Sequence, residues 1–217
     1  MSVNTNDAER TAQIAARAGR LFEDSAHRLH CRTDRTFAAL GIVQWVASVP
    51  VAIWISPRSW AGAESSVHVH LWAVLFVGAL YVSLPLYLTL TRPGSALTRH
   101  AIAIGQMGSA ALLIHLTGGR IESHFQIFGA LAFLAFYRDW RVLLTATLVI
   151  SVDHFWRGLW WPQSIFGTAT PSGWRWLEHA MWVLLEDAVL ILSILHNRRD
   201  MRGVAARQAE LEVVNES

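Results

Sequence analysis

Charge is scarce in this sequence, and its scarcity limits the class of protein. Only 16% of the 217 residues are Asp, Glu, Lys or Arg, whereas a soluble domain carries about 25%. Hydrophobic residues make up 53% of the chain, and its mean hydropathy is +0.32. The charges are concentrated towards the two ends and are nearly absent from several long internal stretches. This pattern is typical of an integral membrane protein and argues against a soluble domain.

Cysteine is nearly absent, and so are the motifs that mark several other classes of protein. A single cysteine, Cys31, excludes an internal disulfide and a metal site built from several thiolates. The sequence has no Gly-rich phosphate loop, no internal repeat and no low-complexity tract. Its first ~35 residues are polar and helix-forming, so we expect no cleavable signal peptide. We also expect no nucleic-acid partner, although the net charge of +2 by itself says little about partners.

Six apolar segments are present, each near the ~20 residues that a helix needs to cross a bilayer. They lie at residues 37–55, 70–90, 100–116, 124–137, 142–161 and 176–195. The fourth segment is short, and a re-entrant hairpin with its neighbours is an alternative for it. Many of the eleven tryptophans lie near segment ends, where indole rings favour the headgroup layer. The predicted fold is therefore an all-α integral membrane protein, a six-helix transmembrane bundle.

The distribution of arginine orients this predicted bundle. Six arginines precede the first apolar segment, and others follow the second, fourth and sixth: Arg92, Arg99, Arg138, Arg141, Arg198, Arg199 and Arg202. The alternate connections are poorer in positive charge and hold Arg58, Arg120, Arg157 and Arg175. This alternation fits six crossings with both the N and the C terminus in the cytoplasm.

The chain is predicted to have three regions. Residues 1–35 form a cytoplasmic amphipathic helix, residues 36–197 the membrane domain, and residues 198–217 the start of a coiled coil. The Arg-rich side of the first region suits an anionic inner leaflet or a partner helix, and a solvated face is an equal alternative. Its apolar face comprises Ile14, Ala18, Leu21, Phe22, Ser25 and Leu29. The coiled-coil seam follows a 3-4-3 spacing and comprises Met201, Val204, Gln208 and Leu211.

Histidines at one depth of the predicted bundle indicate a ligand site. At ~1.5 Å rise per residue, six of them on five helices fall within roughly 10 Å of the outer boundary. Polar side chains at membrane depth are costly and usually face the bundle interior. Several neutral imidazoles there suit a transition metal (zinc, copper or iron) or haem. Each one alone could instead cap a helix or lie among the lipid headgroups.

The candidate metal ligands fall into two groups. The first-choice ligands are His115, His124, His154 and His179, with Glu122 as a fifth candidate. Gly118 and Gly119 allow a tight reversal of the chain that would bring His115, Glu122 and His124 together. His68 and His70 are additional candidates, with an interfacial role as the alternative.

Three acidic residues at membrane depth are candidates for a supporting role. Asp153 and His154 diverge by about 100° around their helix. Asp153 is therefore expected to orient a ligand or to pair with Arg157. Glu186 lies seven residues from His179, hence on the same face, and Asp187 follows it. A proton relay or a role behind the ligands is one interpretation of this pair, and a protonated acid in an interhelical hydrogen bond is the other.

Three stretches of the chain carry a resemblance: HLTGGRIESHFQIFGALAFLAFYRDWRVLL, DHFWRGLWWPQS and WRWLEHAMWVLLED. They resemble the N-terminal membrane module of a group of bacterial sensor proteins, in which the module precedes PAS, histidine-kinase or related signalling domains. The resemblance covers residues 28–212. In that group a second histidine lies two residues after the one matching His124, and Gln126 stands there in this chain. An amide is a poor metal ligand, so this departure puts a ligand at position 126 in doubt.

The resemblance implies a sensory input domain in the bacterial inner membrane, of the kind found in two-component signal transduction. We expect a homodimer in contact with membrane lipid, which passes its signal to a cytoplasmic signalling domain in cis or in trans. The chain would then be an input module rather than an enzyme. Two alternatives stay open. One is an integral membrane metal-dependent oxidoreductase, with Glu186 moving protons, and the other is a proton or ion transporter lined by Asp153, Glu186 and Asp187.

Overall fold

The computed structural model describes residues 5–61 and 63–216 and is predominantly helical. A π-helical turn, Val74–Gly78, joins the helix Val69–Ala73 to the helix Ala79–Thr91, and a 3-10 turn, Ala135–Tyr137, follows the helix Ile121–Leu134. Strands β1 (Arg58–Ala61) and β2 (Glu64–Val67) form an antiparallel hairpin that the sequence analysis did not predict. The helices are α1 (Thr5–Ile55), α2 (Val69–Ala73), α3 (Ala79–Thr91), α4 (Ala96–Leu116), α5 (Ile121–Leu134), α6 (Trp140–Trp160), α7 (Gln163–Phe166) and α8 (Arg175–Glu216).

Among the described residues, four helical stretches are long and apolar enough to cross a membrane. They are Asp7–Ile55, Val69–Thr91, Trp140–Trp160 and Arg175–Glu216. The apolar stretch Ile121–Tyr137 is shorter. The six predicted apolar segments are helical in the structure. By length and composition, four of the six lie in helices that could cross a membrane.

Helix α4 differs from these four stretches because it lies at the centre of the molecule. It packs against α1, α3, α5, α6 and α7, and most of its residues from Ala101 to Ala111 are buried. Its buried positions include small and polar residues such as Gly105 and Gln106, whose side-chain amide donates a hydrogen bond to Gln44 of α1 at 3.0 Å. A helix that is surrounded by other helices needs small residues for close packing more than it needs large apolar residues that face lipid.

The outer helices present large apolar side chains to the surroundings. Val43, Leu80, Leu148 and Leu192 are between 63% and 68% exposed and come from four different helices. A soluble monomer rarely exposes contiguous apolar surface on this scale. This surface is compatible with a chain embedded in lipid.

Helix α1 joins two predicted regions into one element. The amphipathic region before residue 36 and the first apolar segment form one unbroken helix of 51 residues, about 75 Å long at 1.5 Å per residue. Helix α8 has 42 residues and is about 60 Å long. The hydrocarbon layer of a bilayer is only ~30 Å thick. Both helices must therefore extend well beyond any layer that they cross.

The extended parts of α1 and α8 pack against each other. Arg17 forms ion pairs with Glu212 and Glu216 at 2.7 Å each, and its guanidinium holds the pKa of the Glu216 carboxyl below its usual range. The predicted apolar face of α1 is half-buried, from Ile14 to Leu29. The buried residues of α8 beyond the last apolar segment are Ala205, Ala209 and Val213, spaced four apart.

The predicted coiled-coil seam of α8 is only partly covered by α1. Three of its residues line a cavity together with residues of α1, but Val204 is 54% exposed and Leu211 is 65% exposed, while Ala205 and Ala209 form the buried face. The exposed part of the seam can therefore meet another helix.

Contacts at the two ends of the helices fix their directions. At one end, here called the termini end, His30 contacts the Tyr137 carbonyl at 3.1 Å and Arg99 pairs with Asp139 at 2.9 Å. At the other, the hairpin end, His70 contacts Ser56 at 3.1 Å and the rings of His70 and His115 lie 4.8 Å apart. The long helices therefore alternate in direction, and both described ends of the chain lie on the same side.

Candidate metal centre

Three of the four first-choice histidines meet at the hairpin end. His124 lies in the first turn of α5, His154 in α6 near its C-terminal end, and His179 in the second turn of α8. Their ring centroids are 5.2 Å apart for His124–His179, 5.5 Å for His124–His154 and 5.9 Å for His154–His179. We call this group the three-His cluster.

The same hydrogen bond holds each ring of the three-His cluster. Each Nδ1 lies near the backbone carbonyl four residues earlier, at 2.9 Å for His124, 3.1 Å for His154 and 2.8 Å for His179. A carbonyl oxygen only accepts, so Nδ1–H donates and the neutral ring carries its lone pair on Nε2. Three helices therefore present the nitrogen that metals and hydrogen-bond donors use.

Two of these nitrogens are buried without a partner. Within the part of the chain that the structure describes, Nε2 of His124 and Nε2 of His154 have no hydrogen-bond partner and are shielded from solvent, and each residue is only 4% exposed. Buried polar atoms in folded proteins are paired in the great majority of cases, because an unpaired one costs about 1–3 kcal/mol. These two unpartnered nitrogens make the three-His cluster a candidate site for a ligand.

A cavity of about 220 Å³ adjoins the three-His cluster. All three rings line it, and its other walls are mainly apolar, including Phe128 and Trp176. Phe166 of α7 packs on the His179 ring with centroids 5.3 Å apart. Sequence analysis did not identify Phe166 or Trp176, because an apolar side chain near histidines carries no signal of its own.

The spacing of the rings can be compared with that around a metal ion. Three imidazoles bound at ~2.0–2.1 Å have neighbouring ring centroids about 5.2–5.5 Å apart for tetrahedral to trigonal angles. The observed spacings lie close to these values. Across the described residues, however, no three His, Cys, Asp or Glu side chains already converge on a single ion. A shared ion would therefore require the rings to turn until their Nε2 atoms face one point.

His115 belongs to a second group and not to the three-His cluster. Its ring lies 4.8 Å from that of His70, which is itself 4.2 Å from that of His68. Trp161 lies on the other side of His115, with centroids 4.9 Å apart. His68 Nδ1 accepts a hydrogen bond from the His70 backbone N–H at 3.1 Å, so it caps the start of α2. The predicted four-histidine set is thus divided between two places.

Asp153 pairs with Arg157 and also contacts His154, which are the two roles that the sequence analysis allowed for it. Its carboxylate accepts two hydrogen bonds from Arg157, at 2.7 and 2.6 Å, and lies 3.3 Å from Nδ1 of His154. Arg157 also donates to the Ser164 hydroxyl and to the Ala111 carbonyl, at 3.2 Å each. This network ties α6 to α4 and α7 behind the three-His cluster.

Two other positions from the sequence analysis face away from the three-His cluster. Glu122 is an exposed residue at the start of α5 and lies 3.4 Å from Arg120. The expected convergence of Glu122 with His115 and His124 is therefore not seen. Gln126 lines a different cavity, of about 240 Å³, together with Gln44 and Trp45 of α1.

Glu186 and Asp187, the acidic pair of α8, lie farther from the hairpin end along this helix than His179 does. Asp187 is 2% exposed and accepts a hydrogen bond from the Thr147 hydroxyl of α6. This is the interhelical hydrogen bond that was one of the two interpretations of the pair. Its other carboxyl oxygen, Oδ1, and Oε2 of Glu186 are buried without a partner.

Comparison of the chain with models of protein families, with curated proteins and with solved structures gave no match. The function of the candidate site is therefore inferred from its own geometry and chemistry.

Proposed function

We propose that this chain is the sensory input domain of a bacterial signalling protein and binds a transition-metal ion at the three-His cluster. One observation carries the proposal. His124 and His154, from two helices, bury Nε2 atoms without partners, and the ring of His179 from a third helix lies beside both. A divalent ion would satisfy these lone pairs.

In this proposal all six apolar segments cross the inner membrane, with both termini in the cytoplasm. The alternating directions of the helices and the exposed apolar surface support this topology. Helix α4 can cross without being strongly apolar, because other helices surround it. The three-His cluster would then lie near the outer face.

Zinc, copper and iron all accept imidazole ligands, so the ligand type alone does not choose between them. Three histidines leave at least one coordination position open, as in metal sites that exchange a ligand. The adjoining cavity of about 220 Å³ gives that position an apolar surrounding. Ligand pockets for drug-sized molecules span about 300–1,000 Å³. A bare ion with a small ligand therefore fits this cavity better than a haem macrocycle does.

The signal would pass along α8, since His179 lies near its start and the exposed part of the seam near its end. Binding or loss of a ligand at the metal would change how α8 packs against α5 and α6. A homodimer joined along Val204 and Leu211 would carry this change to a cytoplasmic signalling domain, in cis or in trans. The supporting observation is that α1 leaves these two residues of α8 exposed.

The first experiment is elemental analysis with absorption spectroscopy of the detergent-purified chain. We expect stoichiometric metal, lost in the double variant His124→Ala/His154→Ala because two of three ligands are removed. The matched control is His70→Ala/His115→Ala, which removes two histidines at the same end of the molecule. This control should retain the metal.

Two outcomes would contradict the metal site. Metal lost from the control and kept by the His124→Ala/His154→Ala variant would assign the ion to the other group of histidines. A wild-type chain that binds neither zinc, copper nor iron after reconstitution would leave the three-His cluster with a packing role only.

The unpartnered Glu186 and Asp187 oxygens favour one second candidate, a metal-dependent oxidoreductase of the membrane. Glu186 is seven residues from His179, about 10 Å along α8, and could move protons towards a redox metal. Oxidation of a quinol by the metal-loaded chain, with dioxygen supplied as the acceptor of the two electrons, tests this. The rate should fall in Glu186→Gln while the metal content is unchanged, and a chain without turnover would favour the sensory function.

A further inference from the structure

A second cavity lies at the termini end, far from the three-His cluster. Its volume is about 510 Å³, and its walls come from α1, α4, α6 and α8. Most of its surface is polar, and five arginines contribute to it: Arg99, Arg141, Arg198, Arg199 and Arg202. We call this cavity the basic pocket.

The positive charge of the basic pocket is not balanced by the protein. Asp139 is the acidic residue in its wall, and Arg99 already pairs with that carboxylate at 2.9 Å. No carboxylate from residues 5–61 or 63–216 forms an ion pair with the other four arginines. About four positive charges therefore converge on one cavity, which attracts an anion.

The partners of these arginines leave charge available for a ligand. Arg198 donates to the Arg138 carbonyl at 3.2 Å and, with Arg202, lies over the Phe22 ring. Arg141 lies over the ring of Trp140, 5.7 Å from its centroid. These contacts hold the side chains in place without neutralising them. The guanidinium groups of these three arginines are thus placed for bidentate bonds to phosphate oxygens, and Arg199 is an exposed residue of the same wall.

The place of the basic pocket points to a lipid rather than to a soluble anion. Leu195 and Trp140 belong to its wall, and both are exposed apolar residues at the edge of the apolar surface. Trp side chains favour the headgroup layer of a bilayer. The pocket therefore joins a cationic floor to a surface that can contact acyl chains.

We propose that the basic pocket binds the phosphoryl headgroup of an anionic phospholipid from the inner leaflet. The lipid phosphate bridges α6 and α8 through Arg141 and Arg199, and its acyl chains lie along the apolar surface beside Leu195. The inference requires a membrane-embedded chain but is independent of the metal site. Arginines next to a membrane generally attract anionic lipids without binding one lipid at a defined place. In this chain, residues of four helices form a cavity around the arginine side chains.

Native mass spectrometry of the detergent-purified chain, titrated with phosphatidylglycerol or phosphatidylcholine, tests the proposal. We expect one tightly retained phosphatidylglycerol. Each arginine near a membrane surface contributes about fivefold in affinity for an anionic lipid. The Arg141→Gln/Arg199→Gln variant should therefore bind phosphatidylglycerol about 30-fold more weakly, with its weak phosphatidylcholine binding unchanged.

Two further variants separate the basic pocket from net charge and from misfolding. Arg10→Gln/Arg207→Gln removes the same charge from exposed sites outside the pocket and should bind phosphatidylglycerol like the wild type. Arg141→Lys/Arg199→Lys keeps the charge but loses the bidentate geometry, so it should bind phosphatidylglycerol more weakly than the wild type and more tightly than Arg141→Gln/Arg199→Gln. Equal loss in the Arg10→Gln/Arg207→Gln control would mean that net charge alone attracts the lipid, and this would overturn the proposal.

Inorganic phosphate distinguishes the two sources of a phosphoryl group. If phosphate displaces phosphatidylglycerol at equal concentration, the basic pocket is a soluble-anion site and the lipid assignment is wrong. If phosphatidylglycerol stays bound at a hundredfold excess of phosphate, about 2.7 kcal/mol in relative affinity, the lipid assignment stands. Equal binding of phosphatidylcholine and phosphatidylglycerol would also overturn it.

Discussion

At the scale of single residues, a buried carboxylate joins three separate parts of the chain. Asp34 of α1 accepts hydrogen bonds from the Tyr137 hydroxyl and from the Gly94 backbone N–H, each at 2.6 Å. Asp34 and Tyr137 are both 0% exposed. Hydrogen bonds to a charged group in such a place contribute more than neutral ones. Asp34 therefore fixes α1 against the turns that precede α4 and α6.

Removing the Tyr137 hydroxyl should destabilise the protein measurably. Tyr137→Phe keeps the ring that stacks on Phe37 but removes one of the two donors to Asp34, so we expect a loss of about 1.5–3 kcal/mol. Thermal unfolding in detergent measures this. Tyr87→Phe, at a position 62% exposed, is the control and should change the midpoint little. Equal midpoints for both variants would show that the buried hydrogen bond contributes nothing.

The histidines show how far single residues can be interpreted from sequence. Depth along the bundle follows from counting residues, and all six outer histidines do lie at the hairpin end. The direction in which each one faces depends on which helices are neighbours, and this is not readable from one sequence. His115 therefore meets His70 rather than His124. Asp34 gave no signal because a single acid before an apolar segment is common.

At the scale of elements, the connection after α4 positions the three-His cluster. Gly118 and Gly119 have φ of +66° and +74°, and their N–H groups donate to the His115 and Ile114 carbonyls at 3.1 and 2.9 Å. These bonds end α4 and turn the chain into α5. A Cβ on Gly119 would lie 2.6 Å from the carbonyl oxygen of Ile165 in α7 and still closer to the backbone nitrogen of Gly167, just after α7, whereas a Cβ on Gly118 would meet nothing within 4 Å.

This difference makes the two glycines a matched pair for mutation. Gly118→Ala should cost about 1–2 kcal/mol, because an L-residue in the left-handed region is strained. Gly119→Ala should cost clearly more, because it adds a backbone clash with the start of the loop after α7. The metal content of Gly119→Ala should also fall, since α7 carries Phe166 against His179. Comparable stability of the two variants would contradict the close contact.

The elements themselves were largely predictable, and the exceptions have physical causes. Apolar runs of ~20 residues locate the helices, and each of the six segments is helical. The β1–β2 hairpin has no alternating apolar pattern, so periodicity could not reveal it. The sequence analysis separated the amphipathic helix from the first apolar segment because the composition changes between them. Helix α1 continues through this boundary without a break in the backbone. The π turn Val74–Gly78 likewise leaves no mark in hydropathy.

At the scale of the whole molecule, α1 and α8 hold the termini end together. Their contact depends on small residues, since Ala205 and Ala209 are 6% and 0% exposed. Sequence analysis predicted the helices and the apolar face of α1, but it did not predict that α1 packs against the Ala205 and Ala209 face of α8. The 3-4-3 pattern marks an apolar stripe, whereas alanines spaced four apart mark the closest approach.

A larger side chain at the contact between α1 and α8 should push these two helices apart. Ala209→Leu adds three carbons to a fully buried position and should cost about 1–3 kcal/mol. Ala206→Leu, at an exposed position of the same helix, adds the same volume and should be nearly neutral. Thermal unfolding compares them, and proteolysis of residues before 36 should accelerate only in Ala209→Leu. A neutral Ala209→Leu would mean that α1 and α8 are not closely packed here.

The unbroken length of α8 has a mechanical consequence. From His179 to Glu216 the helix runs 37 residues without interruption, a lever arm of about 55 Å at 1.5 Å per residue. A tilt of about 5° at the His179 end would displace the far end by about 5 Å, roughly one helical turn. A small change in the direction of α8 at the three-His cluster would therefore become, at the other side of the molecule, a movement large enough to change which helix faces meet.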